Sequence, residues 1–303
     1  MINTSVNIAG VTLSNPVITA SGTYGFGREY SNFYKLNELG AICVKGLTLK
    51  ERAGNKPPRI AETACGILNS VGLQNPGVEY FIKNELPFLI GEGAKVIVNI
   101  AGNTIEEYCE MVKILSETET DLIELNISCP NVKEGGLAFG VKSDSVFKIT
   151  NEVKKHCKKP LIVKLSPNVT DIVEIAKAAR DGGADALSLI NTLLGMKIDI
   201  NTKKPILYNN VGGLSGPAIL PIAVRMVWQV RNTVELPIIA MGGVSTYSDA
   251  IELMLVGANA VAVGTACFVD PFAPIKVRDG IANYLRESNI DDISKIVGSV
   301  IIN

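Results

Sequence analysis

Eight short apolar runs recur along the chain, and segments with helical periodicity separate them. Most of the runs are continuous in Val, Ile and Leu, which is typical of parallel strands covered by helices. The predicted strands are Pro16–Ala20, Ala41–Lys45, Val96–Ile100, Leu122–Asn126, Leu161–Leu165, Ala186–Ile190, Ile238–Met241 and Val261–Gly264. Eight alternations of strand and helix predict an α/β fold of the (β/α)8 TIM-barrel type.

An open, doubly wound sheet is the main competing fold. It needs a dinucleotide-binding turn with GxGxxG spacing after its first strand. The glycines of the segment 22–27, Gly-Thr-Tyr-Gly-Phe-Gly, do not have that spacing. Because there is also no linker rich in Pro, Ser or Gly, we predict one barrel domain that spans residues 1–303.

Three segments outside the eight strands add to this barrel. The alternating pattern of Asn3–Ser14 predicts a small β-hairpin that closes the barrel floor. The long gaps at 46–95 and 191–237 follow strand ends. They therefore predict insertions at the C-terminal face, where barrel enzymes carry their active sites.

Composition excludes several classes of function. The 29 Lys and Arg residues balance 30 Asp and Glu residues, so a protein that binds nucleic acid or an anionic membrane is disfavoured. The single histidine, His156, lies in a basic run that we interpret as a solvated helix end, and it excludes HExxH zinc chemistry. The six cysteines form no CxxC motif, which argues against a zinc ribbon or an iron–sulfur site and predicts no metal.

Targeting signals give a simple expectation. The N-terminal residues lack the basic start and apolar stretch of a signal peptide. No run of 18 apolar residues is present, so no membrane span is predicted. We expect a cytoplasmic protein with reduced thiols.

Polar residues follow several of the predicted strands. Asn99, Asn126 and Asn191 stand at or just after three strand ends, and Lys45 and Lys164 stand at two more. Burying such groups without partners costs several kcal/mol, so we expect them to face a ligand or each other. Carboxamides offer both donors and acceptors, which suits a flavin or a pyrimidine. The lysines could offset negative charge on a carboxylate or a reduced flavin, or a desolvated lysine could form a Schiff base.

Glycines mark the ends of the last two strands. Gly242-Gly243 and Gly264-Thr265 offer backbone N–H groups before helical segments, and Gly216 could add another. Loops of this kind form the phosphate site of many barrels. The alternative is that these glycines serve tight turns that require positive φ.

Cys129 follows the fourth strand and precedes a glycine-rich stretch over 132–140 that could act as a flap. A free cysteine is usually a small buried apolar residue, and we expect this of the other five. Cys129 differs because its loop leaves the barrel mouth. It is therefore the best candidate for proton transfer or nucleophilic attack.

These motifs together resemble one known family. The segments that carry the resemblance are 20–27 (ASGTYGFG), 45–46 (KG), 69–75 (NSVGLQN), 126–131 (NISCPN) and 242–243 (GG). They resemble the dihydroorotate dehydrogenases, in consistent order from about residue 3 to the C-terminus. The 69–75 and 126–131 segments are the specific ones, whereas Gly-Gly alone would be weak.

The resemblance implies a barrel that binds one FMN and oxidises dihydroorotate to orotate in de novo pyrimidine (UMP) synthesis. A cysteine base is typical of the soluble class 1 enzymes, whereas the membrane-associated class has serine there. The segment 22–30 is similar to class 1B, the NAD-linked catalytic subunits. Such subunits form a homodimer core that pairs with a chain carrying FAD and a [2Fe–2S] cluster, which gives a heterotetramer. Class 1A homodimers that reduce fumarate remain an alternative.

The resemblance also implies roles for individual residues. Cys129 would be the general base that takes the C5 proton of dihydroorotate while a hydride leaves C6 for flavin N5. The positions that would bind the substrate are Lys45, Asn69, Ser70, Val71, Gly72, Leu73, Asn126, Asn191 and Thr192. The positions that would bind FMN are Ser21, Lys45, Gly46, Asn99, Asn126, Lys164, Ile190, Gly216, Gly242, Gly243, Gly264 and Thr265.

Three other functions are weighed against this one. The first is a different flavin barrel that reduces a pyrimidine, although a tRNA-acting member would need a basic docking surface. The second is a phosphate-binding lyase with Lys164 as the Schiff-base nucleophile. The third is a flavoprotein or scaffold subunit without catalytic activity.

Overall fold

The computed structural model describes residues 2–127 and 139–303. The strands in these residues are β1 (Val6–Ile8), β2 (Val11–Leu13), β3 (Val17–Thr19), β4 (Ile42–Cys43), β5 (Ile60–Thr63), β6 (Gly66–Asn69), β7 (Val96–Ile100), β8 (Leu122–Asn126), β9 (Leu161–Lys164), β10 (Ala186–Leu189), β11 (Leu193–Met196), β12 (Ile198–Asp199), β13 (Lys204–Pro205), β14 (Val211–Ser215), β15 (Ile238–Met241) and β16 (Ala260–Val263). The α-helices are α1 (Val78–Tyr80), α2 (Leu86–Gly91), α3 (Ile105–Ser116), α4 (Ser143–Lys154), α5 (Ile172–Asp181), α6 (Leu220–Arg231), α7 (Tyr247–Leu255), α8 (Ala266–Val269) and α9 (Ala273–Glu287).

The central element is a parallel sheet with the neighbour order β3-β16-β15-β10-β9-β8-β7-β4. A bridge between Ile18 and Ala41 joins its first and last strands, and the Thr19 N–H donates to the Ala41 carbonyl at 3.3 Å. The sheet therefore closes into a barrel, which confirms the predicted (β/α)8 fold and all eight predicted strands. The strand predicted at 41–45 is shorter in the structure, because the Lys45 N–H leaves the ladder and donates to the Gly25 carbonyl at 2.9 Å.

Side chains of the barrel strands alternate between the interior and the helices, as the pleat requires. The lower interior layer is apolar, and Ile8 and Leu13 of the β1–β2 hairpin are fully buried within it. This confirms the hairpin that the sequence predicts at the barrel floor. One layer higher, the inward-facing residues are polar: Asn99, Glu124, Lys164 and Ser188 are all buried. The barrel is thus closed below by hydrocarbon and polar towards the carboxyl ends of its strands.

The two long insertions are joined in one structure. They contribute β5 and β6 from the first insertion and β11 and β14 from the second to an antiparallel sheet with the order β11-β14-β6-β5. The register places Asn69 opposite Gly213 and Leu193 opposite Leu214. Because only three residues separate the end of β10 from the start of β11, this second sheet stands at the barrel mouth.

The helix boundaries follow from capping side chains. Asp171 caps α5 by accepting from the Val173 N–H at 2.8 Å, and Thr246 begins α7 in a full capping box with Asp249. At α3 half of a capping box forms: the Thr104 hydroxyl accepts from the Glu107 N–H. The Glu107 carboxylate accepts instead from the N–H of the residue before the cap, at 2.6 Å.

His156 and the described cysteines differ in their exposure to solvent. His156 is exposed just beyond the end of α4, which confirms the solvated helix end. Cys43, Cys109 and Cys267 are buried, and Cys157 is half-buried. The prediction of a buried thiol is wrong for Cys65, which is exposed because it lies in the turn between β5 and β6.

Two features, a membrane-spanning helix and a metal-binding cluster, are absent from the described residues. Among residues 2–127 and 139–303, no helix combines the length and the apolar character needed to cross a bilayer. In the same residues, no cluster of three or more His, Cys, Asp and Glu side chains could hold a metal ion.

Candidate active site

The polar upper layer of the barrel is built by strand register. Asn99 on β7 lies beside Glu124 on β8, Asn126 on β8 lies beside Lys164 on β9, and Lys164 lies beside Ser188 on β10. All five side chains point inward, because side chains on the same face of a strand recur every two residues. Each of the five stands two residues after another inward-facing residue of its own strand. Register alone therefore brings three predicted site residues, Asn99, Asn126 and Lys164, to one place.

Glu124 is the centre of this layer, and sequence reasoning missed it. Its Oε1 accepts a hydrogen bond from Asn99 Nδ2 at 2.5 Å, and its Oε2 accepts one from Ser188 Oγ at 2.7 Å. Lys164 Nζ lies 3.5 Å from Oε1 in a buried ion pair. The Cys43 thiol donates to the same oxygen at 3.5 Å. Burial, and then the charge of Glu124, raise the pKa of Cys43, so that thiol stays protonated.

The three predicted carboxamides form a continuous chain. Asn126 Nδ2 lies 3.5 Å from Asn99 Oδ1, and Asn191 Nδ2 lies 3.4 Å from Asn126 Oδ1. The chain ends on the backbone, where the Thr192 N–H donates to Asn191 Oδ1 at 2.8 Å. Four positions that the sequence assigned to substrate or cofactor are thus in mutual contact at the mouth.

Positive charge surrounds the same region. Lys164 Nζ also lies 3.4 Å from the hydroxyl of Ser21, in the loop after β3. Burial lowers the pKa of Lys45, and the nearby cations Arg59 and Lys164 lower it further. Three cations that act on one another favour an anionic ligand between them. Arg59 was not singled out in the sequence, because it stands in the insertion with no nearby motif.

The segment 69–73, which begins at the last residue of β6, carries five of the predicted substrate positions. Asn69 Nδ2 donates to the carbonyl of Gly213 at 3.3 Å, which ties this segment to the second insertion. Asn55 Nδ2 donates to the Ser70 carbonyl at 2.9 Å, and the Asn55 N–H donates to the Val71 carbonyl at the same distance. Asn55 is a second positioning residue that the sequence did not reveal.

The end of this segment is held by backbone geometry. Gly72 has φ +76°, and a Cβ there would lie 2.5 Å from Asn55 Cγ. Leu73 has φ +56°, which is uncommon for a residue with a side chain. The buried side chain of Asn75 donates to the Leu73 carbonyl at 2.7 Å and so holds this turn. The turn needs glycine at 72 for both conformation and space.

Gly46 is buried beside the carboxamide chain. A Cβ at this position would lie 2.7 Å from Asn99 Oδ1 and 3.5 Å from Leu73 Cδ2. Its φ is not positive, so its conformation does not require glycine. The absence of a side chain at 46 therefore lets Asn99 Oδ1 approach the backbone at this position.

The predicted phosphate loops lie around the ends of β14, β15 and β16. Gly216, Gly242 and Gly243 have φ of +108°, +119° and +88°, so turn geometry alone accounts for glycine at these three positions. Gly264 has no such φ, and a Cβ there would lie 3.3 Å from Ala20 Cβ. The phosphate assignment stays a prediction at all four.

Two contacts join these loops. Thr265 Oγ1 donates to the hydroxyl of Ser215 at 2.9 Å, so the loop after β16 lies against the loop that contains Gly216. The buried Ile190 donates its N–H to the Met241 carbonyl at 2.9 Å. These contacts bring the ends of β14 and β16, and those of β10 and β15, together beside predicted cofactor positions.

Cys129 lies outside the described residues. On either side of residues 128–138, the Gly140 N–H donates to the Ile127 carbonyl at 3.0 Å. The buried Tyr108 donates its hydroxyl to the Asn126 carbonyl at 2.8 Å. The described chain on both sides is thus anchored at the carboxyl end of β8, and the role of Cys129 stays a prediction.

Comparison with known proteins identifies relatives over the whole chain. The family model described as dihydroorotate dehydrogenase matches residues 3–285. The dihydroorotate dehydrogenase B (NAD(+)), catalytic subunit, of Alkaliphilus oremlandii (strain OhILAs) is 60% identical over 298 residues, which cover 98% of this chain and 99% of the relative. The protein of the same name from Alkaliphilus metalliredigens (strain QYMF) is 60% identical over 299 residues, with 99% of each chain covered. That from Thermoanaerobacter sp. (strain X514) is 57% identical over 299 residues, with the same coverage. The chain therefore belongs to the dihydroorotate dehydrogenase family, as its motifs predicted.

Proposed function

We propose that this chain is the catalytic subunit of an NAD-linked dihydroorotate dehydrogenase, which oxidises dihydroorotate to orotate in pyrimidine nucleotide synthesis. The observation that carries the proposal is the chain of carboxamides Asn99, Asn126 and Asn191 at the mouth of the barrel. Cations flank that chain, and the relatives bear the name of this activity. The whole chain would act as one FMN-binding unit in the cytoplasm.

The residues present fit FMN by their chemistry. A flavin ring has alternating N–H and C=O groups along one edge, and carboxamides match both kinds. Gly46 lets Asn99 Oδ1 approach the backbone closely, and a methyl group at 46 would displace that oxygen. Ser21, Asn99 and Lys164 would hold the ring, whereas Gly216, Gly242, Gly243, Gly264 and Thr265 would hold the phosphate. When bound, FMN supplies an acceptor for a hydride.

Dihydroorotate fits the remaining groups. It is a pyrimidine ring with a carboxylate, so it needs both amide partners and a cation. Asn126, Asn191 and the segment 69–73 would hold the ring and its carboxylate, and Lys45 would lie close to that negative charge. Removing the substrate from water strengthens each of these interactions.

Oxidation removes a proton from C5 and a hydride from C6 of dihydroorotate, which leaves a C5–C6 double bond. Cys129 is the proposed base for the C5 proton, by resemblance to the family. Its thiolate is the reactive form, and a free cysteine has a pKa of about 8.5. Activity should therefore rise with pH until the thiol is ionised.

In this proposal, the transfer of electrons to the final acceptor requires a partner chain. A chain carrying FAD and a [2Fe–2S] cluster would pass the electrons to NAD, and two copies of each chain would form a heterotetramer around a homodimer core. The name of the relatives, a catalytic subunit, supports a second subunit. The lyase alternative is less well supported, because Lys164 is paired with a buried carboxylate. Schiff-base lysines instead have apolar or cationic neighbours.

The test uses anaerobic protein purified from its native host. We expect FMN to co-purify and its absorbance to bleach when dihydroorotate is added. Cys129→Ser should bind FMN normally but lose several orders of magnitude in the rate of flavin reduction near neutral pH. The matched control is Cys65→Ser, which alters an exposed thiol in the β5–β6 turn.

Three results would contradict parts of this proposal. A colourless protein that does not bind added FMN would refute the flavoenzyme assignment. Wild-type rates of flavin reduction in Cys129→Ser would refute the base. Reduction of fumarate rather than NAD by the native complex, without a co-purifying iron–sulfur chain, would refute the subclass.

A further inference from the structure

Glu124 is a buried carboxylate to which the proposed mechanism gives no role. It is 2% exposed and stands on β8 two residues before Asn126. Its two oxygens accept from Asn99 and Ser188, and Lys164 balances its charge. An ionised carboxylate in the interior is costly unless it is paired and hydrogen-bonded in this way. A barrel that only needed a filled interior would place an apolar residue here.

The hydrogen-bonding capacity of an ionised carboxylate is one-sided. It accepts hydrogen bonds and cannot donate them, whereas a carboxamide can turn either end towards a neighbour. Glu124 therefore requires that Asn99 turn its NH2 group inward, which leaves Asn99 Oδ1 facing Asn126. Asn126 must then direct its own NH2 group to Asn99 and its oxygen to Asn191.

We infer that Glu124 is a positioning residue that sets the direction of the whole carboxamide chain. Each amide in the chain passes its orientation to the next, from Glu124 to Asn191. The chain ends on the Thr192 N–H, a donor that requires the oxygen of Asn191. One acceptor-only group at the start and one donor-only group at the end thus leave a single consistent arrangement. This inference rests on the proposed function, in which the same amides bind FMN and orotate.

A neutral residue of the same shape would remove this directionality. In Glu124→Gln, the introduced carboxamide could present either end to Asn99, so that only the Thr192 N–H would still oppose the reversed direction of the chain. It would also remove the charge that Lys164 faces. We expect the dissociation constants of FMN and of orotate to rise at least about tenfold, since a buried polar group at the mouth loses a fixed partner.

A matched control separates this effect from general damage to the fold. Glu85 is also a buried carboxylate in an ion pair, with Arg28 Nε at 2.6 Å, but it lies in the helical segment between α1 and α2. Glu85→Gln makes the same chemical change away from the carboxamide chain. Both variants should lose thermal stability, whereas only Glu124→Gln should lose ligand affinity.

Exchanging the carboxylate and the carboxamide between positions 124 and 99 tests the direction of the carboxamide chain. Asn99→Asp alone places a second carboxylate against Glu124, and binding should be weaker than in the wild type. The double variant with Asn99→Asp and Glu124→Gln has one carboxylate, at position 99. That carboxylate can accept a hydrogen bond from the carboxamide introduced at position 124 and another from Asn126. The double variant should bind orotate at least about tenfold more tightly than Asn99→Asp alone. A residue that only fills space would give no such rescue.

The measurements are made on the full chain without oxygen. The FMN dissociation constant comes from the quenching of flavin fluorescence, the orotate constant from the spectral shift of bound FMN, and stability from circular dichroism on heating. If Glu124→Gln and Glu85→Gln bind both ligands equally well, the inference is overturned while the proposed function stands. If Glu124→Gln does not fold, absence of rescue in the double variant overturns it. If the wild-type chain binds no FMN, the proposed function is overturned and this inference with it.

Discussion

A methyl group at position 46 should test whether FMN binding needs Asn99 in its present position. The backbone of Gly46 has no positive φ, so alanine can adopt it. The added Cβ would nevertheless lie 2.7 Å from Asn99 Oδ1. That oxygen must retreat by roughly 0.5 Å or more to reach van der Waals separation.

Asn99 has little freedom to make that movement. It is fully buried, and its Nδ2 is held by Glu124 at 2.5 Å. Overpacking of a rigid site costs about 1–3 kcal/mol. The free protein can relieve part of this strain by a small shift of Asn99, whereas bound FMN needs Asn99 in place. The cost therefore falls on binding, and about 1–3 kcal/mol corresponds to an FMN dissociation constant raised roughly 5- to 150-fold.

The assay is titration of the FMN-free chain with FMN, followed by flavin fluorescence. Gly91→Ala is the matched control, because a Cβ at the exposed end of α2 meets no atom within 4 Å. It should bind FMN as the wild type does, and its stability should be equal or slightly higher. Equal FMN affinity in Gly46→Ala and Gly91→Ala would refute the reasoning that Asn99 must keep its position.

Three further predictions concern other parts of the chain. Burial and the charge of Arg59 lower the pKa of Lys45, so orotate affinity should fall as the pH rises through that pKa and the cation is lost. Arg59→Gln should move this fall to higher pH. An unchanged pH profile in Arg59→Gln would contradict the effect of Arg59 on the pKa of Lys45. Thr104→Ala should lower the free energy of unfolding in urea by about 1 kcal/mol because it removes the cap of α3, and a loss no larger than that of Thr104→Ser would contradict this. Iodoacetamide should label the exposed Cys65 in the native protein and leave Cys267 unlabelled, since burial raises the pKa of Cys267 to about 12. Equal labelling of the two thiols, measured by mass spectrometry, would count against the fold of the β5–β6 turn.

Much of the fold could be predicted because its signals are local. Each barrel strand is a short apolar run, and each run stands between segments of helical period. The carboxyl ends of parallel strands meet at one edge, so Asn99, Asn126 and Lys164 could be assigned to one mouth before any contact was known. The β1–β2 hairpin was predictable for the same reason, since its alternation is visible within twelve residues.

Glu124 shows where local reasoning failed. It stands between Ile123 and Leu125 in an apolar run, and the run reads as a buried strand with one polar exception. The pleat places positions 122, 124 and 126 on one face, which indicates that Glu124 points inward. The sequence contains no sign that its partners would be Asn99, Ser188 and Lys164, because these stand on three other strands.

The second sheet is a further case of this kind. Its strands β6 and β14 pair although Asn69 and Gly213 lie 144 residues apart in the chain. Each insertion alone predicts only additional chain at the mouth. The conformation of the segment 69–73 depends on this pairing, and so does the position of Asn55 beneath it.

The sequence by itself determined the barrel, the face that carries the site and the family, because apolar period, strand order and short motifs are properties of neighbouring residues. Only the tertiary structure decided which polar groups meet, that one carboxylate orients three carboxamides, and that two distant insertions form one sheet. Hydrogen bonds between strands depend on register and closure, and these arise from packing across the whole barrel rather than from any segment of it.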